Sequence, residues 1–144
     1  MQLPSETYTA AMSTGQKILI GYGVIVLTYG FLLGIPMAKA RGTSPTAPRH
    51  LVNTHLSALI TGPIHLALAA ATAFVGFKSG IATVGAVLLV AGSILEVSGG
   101  TLNWLDKTGD QFAEKSKGFM LNATSGPVAV AGMAITAVGI LANL

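Results

Sequence analysis

The 144-residue chain is too apolar for a soluble globular protein, because 51% of its residues are hydrophobic and only 9% are charged. Its mean hydropathy of +0.68 is typical of an integral membrane protein. The net charge of +3 does not indicate nucleic-acid binding, because most basic residues lie in connectors, where they set membrane orientation. The absence of cysteine excludes disulfides, thiolate metal ligands and a cysteine nucleophile.

Four long apolar stretches fill most of the chain. Stretches that cross a bilayer must be helices or a closed barrel, because backbone polar groups find no water there. Strand-like alternation is absent, so we predict a single-domain, all-α integral membrane four-helix bundle in the lipid bilayer. Residues 1–15 are expected to form a polar surface segment, and the helices are predicted over residues 16–37, 50–77, 81–105 and 118–144.

The connectors hold the charged and helix-breaking residues. Lys39 to Pro48 includes two prolines and is expected to be extended, and residues 78–80 are expected to form a tight turn. Asp106 to Lys117 is the most charged loop. The run Ala38-Lys39-Ala40 has the form of a signal-peptide cleavage site, but the apolar run before it is longer than usual, which favours a spanning helix.

The distribution of basic residues predicts the orientation. Two lie on the side of the termini and the second loop, against six in the first and third loops. The positive-inside rule therefore places both termini outside the cytoplasm. Small residues recur in all four helices, which favours close helix contacts within a tight bundle or an oligomer.

Ionisable side chains inside a spanning segment are functional candidates, because their burial in lipid is costly. Three residues qualify, namely Glu96, His55 and His65. Glu96 shares a helix face with Gly99 or Gly100 and with Asn103, and we expect this face to look into the bundle. Glu96 would either hydrogen-bond a ligand or polarise a histidine, or it would bond a neighbouring helix as a protonated acid.

His55 lies about one turn inside the second helix, where an imidazole can meet a flat cofactor near the membrane surface. A single axial histidine can hold haem iron with the opposite position open. An interhelical hydrogen bond is the commoner role of a lone histidine. His65 is about 15 Å further along the helix, so the two cannot ligate one iron.

Further polar side chains lie in the first and fourth helices. Tyr22 and Tyr29 share a face of helix one, where a phenol could donate to a substrate oxygen, although a packing role is commoner. In helix four, Asn122, Thr124 and Ser125 make the first part of the helix polar.

Short motifs around His55 resemble those of a known family. Pro48-Arg49 is followed by His55-Leu56, with Gly62 seven residues after the histidine. Helix three has Gly92-Ser93 and a later run that contains Asn103-Trp104. Over about residues 41–106 this order resembles the small four-helix membrane isomerases that include hydroxylaminobenzene mutase and styrene oxide isomerase.

The resemblance implies a b-type haem whose ferric iron is bound by His55, with Arg49 as a second cofactor-binding residue. It also implies a homotrimer in a bacterial inner membrane, with the haem near a subunit interface. The iron would be a Lewis acid in a redox-neutral rearrangement of a small apolar aromatic substrate, either hydroxylaminobenzene to 2-aminophenol or a styrene-oxide-type epoxide to an aldehyde. The candidate catalytic side chains are Asn103, Glu96, Thr61 and Tyr22.

Two positions depart from the family pattern. Thr61 stands where both branches have asparagine, and it offers one donor instead of two. The isomerase branch has a tyrosine late in helix three, where this chain has Asp106-Lys107. The mutase reaction is therefore favoured over epoxide isomerisation.

Two other functions compete with the isomerase. A small oligomeric transporter could couple export to proton binding at Glu96. A haem electron carrier would need a second axial ligand, for which His50 and His65 are available.

Overall fold

A computed structural model describes residues 11–77 and 80–144. The elements are α1 (Thr14–Thr43), α2 (Arg49–Phe74), α3 (Gly80–Leu105), α4 (Gln111–Glu114) and α5 (Lys117–Leu141). All but α4 are long and apolar enough to cross a membrane. The predicted all-α bundle of four spanning helices is confirmed, and its composition indicates a multi-pass integral membrane protein.

Helix α1 starts earlier and ends later than predicted. Ser13 caps its start, because its hydroxyl accepts from the Gln16 amide at 3.2 Å while the Gln16 side chain accepts from the Ser13 amide at 2.9 Å. At the other end, helix-forming residues carry α1 through Pro36 to Thr43. The helix stops only where Pro45 disfavours a helical conformation at Ser44. The first part of the predicted extended connector is therefore helical.

The other predicted boundaries agree within three residues. Helix α2 ends at Phe74 instead of residue 77, and Gly76 follows in a left-handed conformation with φ of 72°. Of the predicted turn over residues 78–80, the first two lie outside the described residues and Gly80 begins α3, and most of the polar segment 1–15 also lies outside the described residues. The short helix α4 was not predicted. Asp110 caps it by accepting from two backbone amides, at 2.9 and 3.2 Å.

The bundle consists of two closely packed pairs, α1 with α2 and α3 with α5. Glycines make the second pair possible. A Cβ built on Gly132 would lie 2.5 Å from the backbone nitrogen of Leu89, and one on Gly92 would lie 2.8 Å from that of Ala129. Both α1 and α2 also pack against α3, while α2 and α5 scarcely meet. A groove therefore remains open between α2 and α5.

The close contact of α3 with α5 gives a stability prediction. Gly132→Ala should destabilise the bundle by about 1–3 kcal/mol, because the added methyl group meets the α3 backbone, which cannot move aside easily. The measurement is reversible unfolding in mixed micelles, followed by helicity. Gly126→Ala on the same helix is the matched control, since a Cβ there meets nothing within 4 Å. Equal stability of the two variants would contradict the packing described.

Candidate functional site

His55 lies on the face of α2 that packs against α1. Its Nδ1 is 2.7 Å from the carbonyl oxygen of Gly30, and a carbonyl can only accept, so this nitrogen carries the proton. The other ring nitrogen, Nε2, then keeps its lone pair. Gly34 lies close by, since a Cβ built there would be 3.7 Å from the His55 ring. The ring is half-buried.

His65 is held in the bundle interior and has a structural environment. Only 2% of it is exposed, and its Nδ1 donates to the carbonyl of Thr61 at 2.8 Å. Its Nε2 lies 3.4 Å from the Ser93 hydroxyl, and the Tyr22 ring packs edge-on against it at 5.2 Å between centroids. These contacts match an interhelical role and do not fit an axial haem ligand.

Tyr22 and Tyr29 line an apolar groove between α1 and α3, with a volume of about 450 Å³. The hydroxyl of Tyr29 forms a 2.7 Å hydrogen bond with Thr101 across this groove. The remaining walls are mostly aliphatic, with Ile25, Val26, Ile94, Val97 and Leu102. The groove has the shape and polarity for an aromatic ring, with phenol groups at its side.

Glu96 lies in the open groove between α2 and α5, which we call the Glu96 groove. Its volume is about 670 Å³. The residues that line it are His50, Asn53, Thr54, Leu56, Ser57, Ile60, Glu96, Gly100, Gln111, Asn122, Ser125, Gly126 and Ala129. The Ser57 hydroxyl donates to Glu96 Oε1 at 2.8 Å. Glu96 is nine residues from the end of α3, about 14 Å inside the helix.

The expectation that Glu96 and Asn103 look into the bundle together is wrong for Glu96. Asn103 and Gly99 are buried at the contact with α5, whereas Glu96 is exposed. The cause is the gap between α2 and α5, which leaves this edge of α3 uncovered within the chain. In a bilayer, an exposed carboxyl at this depth requires a ligand, water or another chain beside it.

Asn103 organises the loop between α3 and α5. It is 1% exposed; its Nδ2 donates to Gln111 Oε1 at 2.7 Å, and its Oδ1 accepts from the Ser116 hydroxyl at 2.6 Å. Ser116 also caps α5, with its hydroxyl 3.0 Å from the Phe119 amide. Both ends of the amide are therefore engaged by protein groups, which favours a structural role over catalysis.

The remaining candidates lie apart from one another. Thr61 is six residues from His55, which places the two about 120° apart around α2. Arg49 begins α2 and is exposed at a second cavity, which Trp104, Lys107 and His50 also line. His55 and Ser57 are about 160° apart around α2. The histidine and the carboxyl groove thus occupy opposite faces of one helix and do not meet within the chain.

Three residues that line the Glu96 groove were not predicted as site residues from the sequence. Ser57 has no sequence signal, because its position opposite Glu96 depends on how α2 packs against α3. His50 was considered only as a second haem ligand, yet it is 8% exposed, and its Nε2 has no hydrogen-bond partner among the described residues. Asn122 was noted only as part of a polar segment, and its Oδ1 is likewise buried without a partner there.

In comparisons with protein families, with curated proteins and with solved structures, none matches this chain. Among the described residues, no cluster of three or more His, Cys, Asp or Glu side chains could hold a bare metal ion.

The Asn103 network gives a second prediction. Asn103→Leu should loosen the loop over residues 106–116, because the Ser116 hydroxyl loses its buried acceptor, at about 1–3 kcal/mol, and Gln111 Oε1 keeps only its longer bond from Asn122. Hydrogen exchange should show faster exchange at the start of α5. Asn53→Leu, at an exposed site on α2, is the control. Unchanged protection in Asn103→Leu, combined with lost activity, would instead support a catalytic role.

Proposed function

We propose that this protein is a haem-dependent membrane isomerase that rearranges a small aromatic substrate without a net redox change. The conversion of hydroxylaminobenzene to 2-aminophenol stands ahead of the conversion of a styrene-oxide-type epoxide to an aldehyde. The observation that supports this function best is the hydrogen bond from His55 to the Gly30 carbonyl.

That hydrogen bond makes His55 suitable as a haem ligand. Histidines that bind metals usually donate their other ring N–H to a carbonyl or carboxylate, which fixes the tautomer and the ring orientation. Here the Gly30 carbonyl takes the proton of Nδ1, and Nε2 is the nitrogen that would bind iron. Arg49 lies six residues earlier, at the membrane end of α2, and would pair with a haem carboxylate.

The position of His55 also suits a site shared between subunits. The ring is half-buried on the outer side of the α1–α2 pair, away from the Glu96 groove. A second copy packed there would cover the cofactor, in line with the proposed trimer. A ring of copies, each with its α1–α2 side against the open side of its neighbour, would bring His55 towards the neighbour's carboxyl groove.

The protein residues would bind and orient the substrate. A bound ferric haem would supply a Lewis acid that polarises an N–O or C–O bond. The aliphatic groove between α1 and α3 would hold an aromatic ring and exclude water, while the Tyr22 hydroxyl would donate to a polar substituent. The Tyr29 hydroxyl donates to Thr101, whose own proton goes to the Val97 carbonyl. Thr61 and Glu96 remain candidates for contacts with the reacting group.

A proton-coupled transporter is the second candidate function, and the Glu96 groove favours it. Glu96 is the only acidic residue within the four apolar stretches, and its groove is open along the side of the bundle. A carboxyl that alternates between a proton and a substrate would suit such a carrier. The absorption spectrum of the purified protein separates the two, because a transporter has no Soret band.

The first functional prediction concerns the haem ligand. His55→Gly should remove most of the bound haem, because it removes the nitrogen proposed to bind the iron, and added imidazole should restore the Soret band by filling the cavity. His65→Gln is the control and should retain haem. Full occupancy in His55→Gly without imidazole would refute His55 as the ligand.

The second functional prediction concerns the source of oxygen. An apolar site with few acids and bases cannot readily deliver water, so the substrate should rearrange to a product of identical mass without an external cofactor. Mass spectrometry of 2-aminophenol formed in oxygen-18 water should show no label. Incorporation of heavy oxygen would exclude the intramolecular route, and absence of turnover by haem-loaded protein would favour the transporter.

A further inference from the structure

The Glu96 groove presents hydrogen-bond acceptors and very few donors along its centre. Three hydroxyl groups line this part, and each donates its proton to the protein itself. Ser57 donates to Glu96 at 2.8 Å, Thr54 to the His50 carbonyl at 2.7 Å, and Ser125 to the Asn122 carbonyl at 2.7 Å. A hydroxyl has one proton, so only lone pairs remain for a ligand.

Glu96 strengthens this acceptor character. Its carboxyl group has two oxygens, and the Ser57 hydroxyl occupies one of them. Asn122 does not add to it, because its Oδ1 is buried against Gly99 at the α3–α5 contact. The second Glu96 oxygen is therefore the main acceptor that the groove leaves for a ligand.

The groove has room for a molecule of one or two rings. Its volume is about 670 Å³, which is within the usual range for small-ligand pockets. The groove is lined in part by the small residues Gly100, Gly126 and Ala129. Leu56 and Ile60 supply apolar surface beside the polar groups. Amides that can donate, on Asn53 and Gln111, join His50 in the part of the lining near the connector ends of the helices.

We propose that the Glu96 groove is a binding site for small aromatic amines, whose N–H groups donate to Glu96 while the ring packs on Leu56 and Ile60. An epoxide or ether has only lone pairs to offer and would face the lone pairs of the protein. The site is separate from His55 within one chain and does not require haem, and under the transporter function it would be the substrate site. Under the isomerase function it would favour hydroxylamines over epoxides.

The test compares two ligands with the same ring, of which only one has N–H hydrogen-bond donors. Aniline and N,N-dimethylaniline have the same ring, but only aniline has N–H groups. Isothermal titration of the purified full chain in micelles, corrected for partitioning into empty micelles, should show at least about tenfold tighter binding of aniline, as expected for one lost hydrogen bond to a charged group.

Variants assign the binding to the groove. Glu96→Leu should weaken aniline binding about tenfold and leave dimethylaniline unchanged, while Thr28→Ala, at an exposed site on α1 outside both grooves, should change neither. Glu96→Gln is a second variant in case Glu96→Leu assembles poorly, and it should also weaken aniline because an amide oxygen is a weaker acceptor than a carboxylate. Photolabelling with 4-azidoaniline should mark peptides of α2 and α5.

The outcomes are distinct. Equal affinity for the two ligands, stronger binding of dimethylaniline, or labels confined to α1 and α3 would overturn the proposal. Absence of saturable aniline binding would also overturn it and would indicate that lipid or another copy fills the groove. His55→Gly should leave aniline binding intact, so failure of the haem function and failure of the amine site are separable.

Discussion

The close contact between α3 and α5 determines the rest of the architecture. Helices in a bilayer gain little by hiding apolar surface from lipid, so they associate through van der Waals packing and polar contacts. Glycines on both helices allow their backbones to touch, and those at this contact are Gly85, Gly92, Gly99, Gly118 and Gly132. Because α5 packs closely along α3, it makes few contacts with α2. The groove that exposes Glu96 is the result.

Most of the fold was predictable from the sequence because the bilayer imposes it. Four apolar stretches without strand alternation leave helices as the only regular solution, and the starts of α3 and α5 were placed within one residue. The end of α1 was misplaced because Ala38-Lys39-Ala40 can form a helix in water as well as in lipid. Helix α4 is a single turn stabilised by the Asp110 cap. It is too short to show a hydrophobic period in the sequence.

The candidate site was less predictable because it depends on which helices are neighbours. The sequence singles out Glu96 and the histidines as ionisable groups in apolar stretches, and that selection does not depend on packing. It cannot say that His65 meets Tyr22 and Ser93 in the core, or that Ser57 lies opposite Glu96. The haem ligand, the substrate and the trimer stay predictions.

The length of α1 has a consequence for the membrane surface. Its 30 residues extend about 45 Å, whereas the hydrocarbon core is about 30 Å thick. A straight, upright α1 would therefore project beyond the acyl chains by up to several turns. Lys39 and Arg41 lie on the last turns, where lipid phosphates are found, and would fix the depth of the helix by pairing with them. A thinner or thicker bilayer would then change the tilt of α1, and with it the orientation of α2, its closest partner.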